Sequence, residues 1–172
     1  MDYFNVDDHI LLRFAEEKDI DIILEFIRGL AEYEHLLDTV EIKEVDIKKY
    51  LFEKKLLEVV ICEYDGIPAG FALFFHNFST FLGRPGIFIE DLFVKPEFRG
   101  RGLGKILFSF LAQIAVERNC GRLEWACLNW NKPSIAFYKS QGAKAMDEWT
   151  IYRITGDGIN KLAEGCVLSN HK

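Results

Sequence analysis

Residues 87–115 limit the fold of this 172-residue chain more than any other stretch. An apolar run from Ile87 to Val94 passes through Arg99-Gly100-Arg101-Gly102-Leu103-Gly104 into residues whose apolar members step by three and four: Leu103, Ile106, Leu107, Phe110, Leu111, Ile114 and Ala115. Such spacing paints one stripe on a helix and cannot alternate as a strand does. Gly121 opens a further strand to about Leu128, so the segment reads as strand, helix, strand. That order places helices on a sheet rather than in a bundle.

The flanking sequence fits the same plan. Ile10 to Phe14 reads as a strand, and Asp19 is placed to cap a helix that carries Ile20, Ile23, Leu24, Ile27, Leu30 and Ala31 on one face. A weaker helix is expected over about Ile42 to Phe52. Leu57–Tyr64 and Ile67–Phe75 read as strands joined by Asp65-Gly66, a hairpin signal because both central positions of the favoured turn need positive φ. A loop is expected from Ser79 to Gly86. Pro133 lies in the first turn of a short helix that Gly142 stops, Trp149–Thr155 reads as a last strand, and a short helix falls near Ile159–Ala163. The expected product is a single α/β domain over 1–172 with a mixed, mostly antiparallel sheet.

Composition excludes several classes. Hydrophobic residues make up 49% of the chain and aromatic residues 14%, too much for a disordered segment. No apolar run approaches a membrane span and no leader is evident at the N-terminus, so a soluble, cytoplasmic protein with no membrane partner is expected. Four cysteines and four histidines are dispersed without ligand spacing, and no metal is expected. The net charge of −6 divides unevenly: residues 1–65 carry 18 acids and 8 bases, whereas 66–172 carry 9 acids and 13 bases. An acidic chain gains little from counterion release, so nucleic acid is disfavoured, yet the second half has charge for a local anion site.

That site is expected at the glycines. A strand running through glycines into a helix aims backbone N–H groups and the positive helix end at an anion, and Lys95, Arg99, Arg101 and Lys105 against Glu97 leave residues 95–105 at net +3. The plain alternative is a turn that merely needs glycine. A Walker loop would require glycine at Arg99 and Ser or Thr at Ile106, and the dinucleotide fingerprint would require glycine at Lys105. What remains, Arg99-x-x-Gly102-x-Gly104, resembles the R/Q-x-x-G-x-G/A signature of the GNAT acyltransferases. Leu128 to Ala143 resembles the downstream GNAT motif. Trp130-Asn131, Phe137-Tyr138-Lys139, Gly142-Ala143, Ile89-Glu90-Asp91 and Leu30-Ala31-Glu32-Tyr33-Glu34 together resemble the spermidine/spermine acetyltransferases. Phe78 to Arg84 looks closer to their thialysine and small-diamine branch.

The resemblance implies acetyl-CoA as co-substrate, a small cationic amine as acceptor, and a homodimer. It places the CoA pyrophosphate on Arg99, Gly100, Arg101, Gly102, Gly104 and Lys105, with pantetheine along the backbone of Leu92 and Val94. A β-bulge there would splay the sheet against the strand from Arg122 to Leu128. It makes Tyr138 the acid that protonates the leaving thiolate and Glu90 the carboxylate that deprotonates the amine through water. Asn131 and Lys139 become CoA contacts, and Glu32, Tyr33, Glu34, Phe81 and Asp91 surround the amine. Plainer roles stand beside these. Tyr138 is also suited to be a helix-face aromatic and Asn131 a cap; Glu32 and Glu34 also suit a solvated helix face. Glu90 and Asp91 alternate on a regular strand, so a bulge is needed for both to face one side. Ser79 stands where polyamine-specific members carry an acid, and Ser140-Gln141 where they carry bases.

Overall fold

The Asp65-Gly66 turn forms as the sequence predicts: both residues hold positive φ, 51° and 77°, and join β3 (Glu58–Tyr64) to β4 (Ile67–Ser79) as an antiparallel hairpin. In this computed structural model, which describes residues 3–166, the strands assemble into one six-stranded sheet in sequence order. β1 (Tyr3–Asn5), β2 (Ile10–Phe14), β3, β4 and β5 (Arg84–Val94) are antiparallel neighbours, and β6 (Leu123–Trp125) joins β5 in parallel. The parallel step needs a crossover, which α3 (Leu103–Glu117) provides.

The two faces of the sheet are covered by different helices. Phe71, Leu73 and Phe93 point to α1 (Ile20–Tyr33), where Phe26 stacks on Phe71 at 5.1 Å and packs with Ile23, Leu24, Ile47 and Leu51. Phe74, one residue beyond Leu73, faces the other way and lies under the guanidinium of Arg118 at the end of α3. The predicted stripe of α3 is buried from Leu103 to Ala115, apart from the less buried Ile106. Burial of each large side chain contributes about 1.5–3 kcal/mol, which is what holds the crossover to the sheet.

Several expectations are corrected. The weaker helix is a single α-turn, α2 (Glu44–Ile47), which continues as a π-helical turn over Lys48–Glu53. The Ser79–Gly86 loop shrinks to 80–83, because Ser79 still pairs with Arg84. The strand from Gly121 narrows to Leu123–Trp125. β1 carried no signal: three exposed residues have no burial pattern to read. Asp19 occupies the cap position of α1 without capping it, since its carboxylate is drawn to Arg13.

Arg13, on β2, is buried and donates to both oxygens of Asp19 at 2.6 and 2.9 Å and to Glu63 of β3 at 2.7 Å. Burial alone would raise the Asp19 carboxyl. The Arg13 hydrogen bonds, the Glu16 backbone N–H and the Arg13 charge outweigh it and hold the group below its ordinary value. Arg13→Ala leaves two buried carboxylates without a cation and should cost about 3–5 kcal/mol. A depressed carboxyl contributes fully above its unfolded value of about 3.9 and loses that contribution as pH falls through the folded value. The stability gap between wild type and Arg13→Ala should therefore be widest near neutral pH and narrow below about pH 4, as urea unfolding at a series of pH values will read.

The chain divides into two compact units, Met1–Leu128 and Asn129–Lys172. The second contains α4 (Lys132–Ser140) and α5 (Asp157–Ala163). Asn131 caps α4, its Oδ1 accepting from the Ser134 N–H at 3.2 Å, and Gly142 ends it at φ 85°. Residues 149–155 are not a strand: they have no ladder partner among the described residues, and Trp149, Ile151, Tyr152 and Ile154 are exposed. Alternation of apolar residues marks a surface that can be covered, and pairing is a separate requirement.

Candidate active site

β5 has a partner on both sides only from Ile87 to Ile89. β6 pairs with Ile87, Phe88 and Ile89 and then ends, whereas β5 runs on to Val94 beside β4 alone. This is the expected parting of the sheet. The Lys95 N–H donates to Ala69 of β4 at 2.9 Å, so Phe93 and Asp91, in phase with it, turn their backbone groups to β4. Leu92 and Val94 turn theirs to the open edge. The Val94 carbonyl there accepts from the Arg99 Nε at 3.0 Å.

A register shift interrupts the β4–β5 ladder at the same point. Leu73 lies opposite Asp91 and Phe74 opposite Ile89, which leaves Glu90 with no partner. Opposed residues of an antiparallel pair share a face, so Asp91 joins Leu73 and Phe93 on the α1 side. Glu90, alternating from Ile89, falls on that side as well. The bulge thus overrides strand alternation and turns two consecutive carboxylates toward the end of α1, where Glu34 is the C-cap. Burial, then the charges of Glu90 and Glu34, pushes Asp91 up to about 7. Burial raises Glu34 too. Within the 1–128 unit no hydrogen bond or ion pair reaches the carboxylate of Asp91, Glu90 or Glu34 among the described residues. Cys127, just past β6, has its thiol raised by burial and then by Glu34, which places it beside the same acids. No sequence signal marked it.

At the end of β5 the chain turns through a short 3₁₀ segment, Pro96–Phe98, into the glycines. Gly100 and Gly102 hold φ of 76° and 82°, which other residues adopt only with strain. Gly104 lies within α3 with no such requirement, and a Cβ built on it meets only the Val94 Cγ2 at 4.0 Å. The space beside it is open. No side chain caps the start of α3, so its first N–H groups are available to an acceptor. The arrangement suits a pyrophosphate with a narrow thioester arm lying along Leu92 and Val94.

The basic residues are divided. Arg99 lies over Tyr33 at 4.9 Å and Phe93 at 5.6 Å, and Arg101 over Tyr64 at 4.8 Å, so aromatic faces position both guanidinium groups beside the glycines. Lys95 instead pairs with Glu25 of α1 at 2.7 Å, which reduces the charge expected for the loop. Lys105 is one of the residues, with Phe4, Leu12 and Phe110, that line a hollow beside α3.

The proposed amine residues separate. Glu34 reaches Asp91, and Tyr33 carries Arg99. Glu32 faces outward into a groove with Arg28, Lys43, Phe93 and Lys95. Phe81 is 95% exposed at the hairpin tip; Leu73, opposite Asp91, is six residues of β4 from Ser79, about 20 Å of strand. Phe81 therefore lies far from the carboxylates of its own unit. Ser79 is taken up by its turn, its Oγ accepting from the Leu82 N–H at 3.2 Å. In the second unit, Tyr138 lies on α4 with its ring 5.3 Å from that of Phe137, Lys139 is exposed, and the Ser140 and Gln141 side chains bond to each other at 2.8 Å.

An uncapped helix start behind two left-handed glycines can accept an anion, and the carboxylates at the bulge can hold a cation. The family model for the acetyltransferase (GNAT) family matches residues 23–143, and the chain belongs to that family, whose enzymes use acetyl-CoA as co-substrate. It is similar to a thialysine N-epsilon-acetyltransferase of Bos taurus, 35% identical over 166 residues, which covers 90% of this chain and 97% of that protein. It is also similar to an L-ornithine N5-acetyltransferase of Arabidopsis thaliana, 39% identical over 121 residues, 70% of this chain and 50% of that one. Among solved structures, an integron cassette protein from the mobile metagenome of V. cholerae superposes with a TM-score of 0.76 at 30% identity, covering 92% of this chain and 99% of that one. The protein is an N-acetyltransferase, and no helix among its described residues is long and apolar enough to cross a membrane.

Proposed function

We propose that this enzyme acetylates a primary amine of a small diamine, polyamine or lysine-like amino acid of the thialysine type, by direct attack within a ternary complex with acetyl-CoA. The observation that carries this reading is the bulge at Glu90, which gathers Glu90, Asp91 and Glu34 at the parted strands with no ion pair to any of them among the described residues of the 1–128 unit. A dicationic amine supplies the missing charge. The names of the relatives, a thialysine and an ornithine acetyltransferase, support an acceptor of that class.

Gly100, Gly102 and Gly104, with Arg99, Arg101 and Lys105, receive the pyrophosphate, and Leu92 and Val94 hold the pantetheine and polarise the thioester carbonyl. Asn131 and Lys139 contact the rest of CoA. An alkyl ammonium ion has a pKa of about 10.4 and must lose a proton before it attacks, while a thiolate leaves more readily if it is protonated. A carboxylate of the Glu90–Asp91 pair accepts the first proton, a role that the family pattern gives to Glu90 acting through water, and Tyr138 supplies the second. Tyr33 borders the amine approach, while Glu32, in its separate groove, and Phe81, at the hairpin tip, lie apart from it. The two units act as one acetyltransferase domain, an assignment supported by a family match that spans both. The protein works as a cytoplasmic homodimer without a metal, a nucleic acid or a membrane partner. The exposed Met146, Trp149, Ile151 and Tyr152 support a second copy as cover.

A kcat/KM series over thialysine, lysine, ornithine, diaminopropane, putrescine, spermidine and a lysine peptide tests the substrate class. Small amines should lead and the peptide should trail; a leading peptide overturns the reading. Glu34→Gln removes one charge from the cluster and should raise KM for diamines about tenfold, equivalent to ~1.4 kcal/mol, with acetyl-CoA affinity unchanged. Equal weakening of both substrates would count against a cationic pocket at Glu34.

A further inference from the structure

We propose that Asp91, rather than Glu90, accepts the proton from the attacking ammonium group, and that Glu90 and Glu34 face the substrate's positive charges. The inference rests on the amine acetyltransferase reading above and assigns its proton acceptor.

The two carboxylates at the bulge are not equivalent. Glu90 is the extra residue: it has no partner on β4, is exposed, and keeps its solvent. Asp91 is registered opposite Leu73, whose side chain is 4% exposed in the α1 core, so the ladder fixes where its short side chain begins. An aspartate has one methylene less than a glutamate to wander with, and a base must be held within reach of the proton it takes. Among the described residues the charges acting on Asp91 are Glu90 on its own strand and Glu34 at the end of α1, and Cys127 after β6 feels Glu34 as well. Two neighbouring negative charges favour the protonated form of the most buried member, as in any site where carboxylates crowd one another.

Such placement also matches the chemistry. A carboxylate of ordinary acidity, about 4.3, lies about six powers of ten below an alkyl ammonium group as a proton acceptor. Asp91, pushed up to about 7, narrows that gap to about three. In the step proposed, an N–H bond of the ammonium group breaks, the proton passes to a carboxylate oxygen of Asp91, and nitrogen keeps the electron pair with which it attacks the thioester carbon. Glu90 and Glu34 face the distal amine.

The test is the pH dependence of kcat/KM for wild type, Asp91→Asn and Glu90→Gln with one diamine, together with acetyl-CoA affinity by calorimetry. Wild type should show a rising limb near pH 7. Glu90→Gln should keep the limb, displaced to lower pH because one neighbouring negative charge is gone. Asp91→Asn should lose the limb and about 10²-fold or more in kcat, with acetyl-CoA affinity unchanged. Loss of the limb in Glu90→Gln but not in Asp91→Asn overturns the assignment, as does its loss in both or in neither. An upward displacement in Glu90→Gln overturns the electrostatic basis. Wild type that acetylates no amine at any pH removes the functional reading itself, and the assignment with it; an active wild type with the limb misplaced removes only the assignment.

Discussion

Tyr138→Phe should lower turnover by about 10²-fold or more while acetyl-CoA binds as before. The hydroxyl is the only atom lost, the ring and its contact with Phe137 remain, and α4 keeps its Asn131 cap and Gly142 stop. A structural aromatic would therefore show almost no kinetic effect and at most a small change in stability. An acid that protonates the departing thiolate contributes typically 10²–10⁴-fold. Because the thiol has an ordinary pKa of about 8.5, the deficit should shrink with a better leaving thiol. Single-turnover rates with acetyl-CoA, beside calorimetric affinity, separate the two roles.

Gly104→Leu should abolish acetyl-CoA binding, weakening it by about 10²-fold or more, in a protein that is more stable than wild type without ligand. The two effects have independent causes. Glycine inside a helix is less favourable than leucine by roughly 0.5–1 kcal/mol, and an added Cβ meets only the Val94 Cγ2, at an ordinary contact distance of 4.0 Å. The remaining side chain enters the space beside the first turn of α3, where the pyrophosphate is placed. Gly102→Leu would not make the same distinction, because a φ of 82° strains any side chain whether or not a ligand is present. Thermal unfolding with and without acetyl-CoA reads both signs: a higher midpoint for the free variant, and little further rise on adding the ligand.

What the sequence disclosed depends on where periodicity and turn chemistry agree. The α3 stripe, the Asp65-Gly66 hairpin and the glycine loop each require particular residues in order, and each formed where expected. Asn131 and Gly142 mark the ends of α4 for the same reason. Illegible features depended on partners distant in sequence. Asp19 has the residue type and position of a cap, but a buried Arg13 on another element claims its carboxylate. Residues 149–155 alternate like a strand and find no ladder. Lys95 counts toward the charge of the loop yet pairs with Glu25, and Glu32 and Glu34, two residues apart, diverge because about 100° of helical turn per residue sends them to different surroundings. The bulge was expected from resemblance; its register shows why Glu90 and Asp91 share a face, which alternation forbids.

The charge asymmetry acquires a local basis. The basic half contains the glycine turn with Arg99 and Arg101 stacked beside it, and the acidic half contributes Glu34 to the carboxylates of β5. The carboxylates and the glycine turn lie at the two ends of the stretch of β5 beyond β6, and in the proposed reaction the first takes the amine and the second the phosphates of the thioester.

Mixing the protein with acetyl-CoA and thialysine, and following thiol release together with the mass of the amine, tests this account most directly. Thiol should appear in step with a singly acetylated amine, at a rate that saturates in both substrates and is lost in Gly104→Leu. Tight binding of acetyl-CoA with no thiol release, for thialysine or any other small amine, would contradict it.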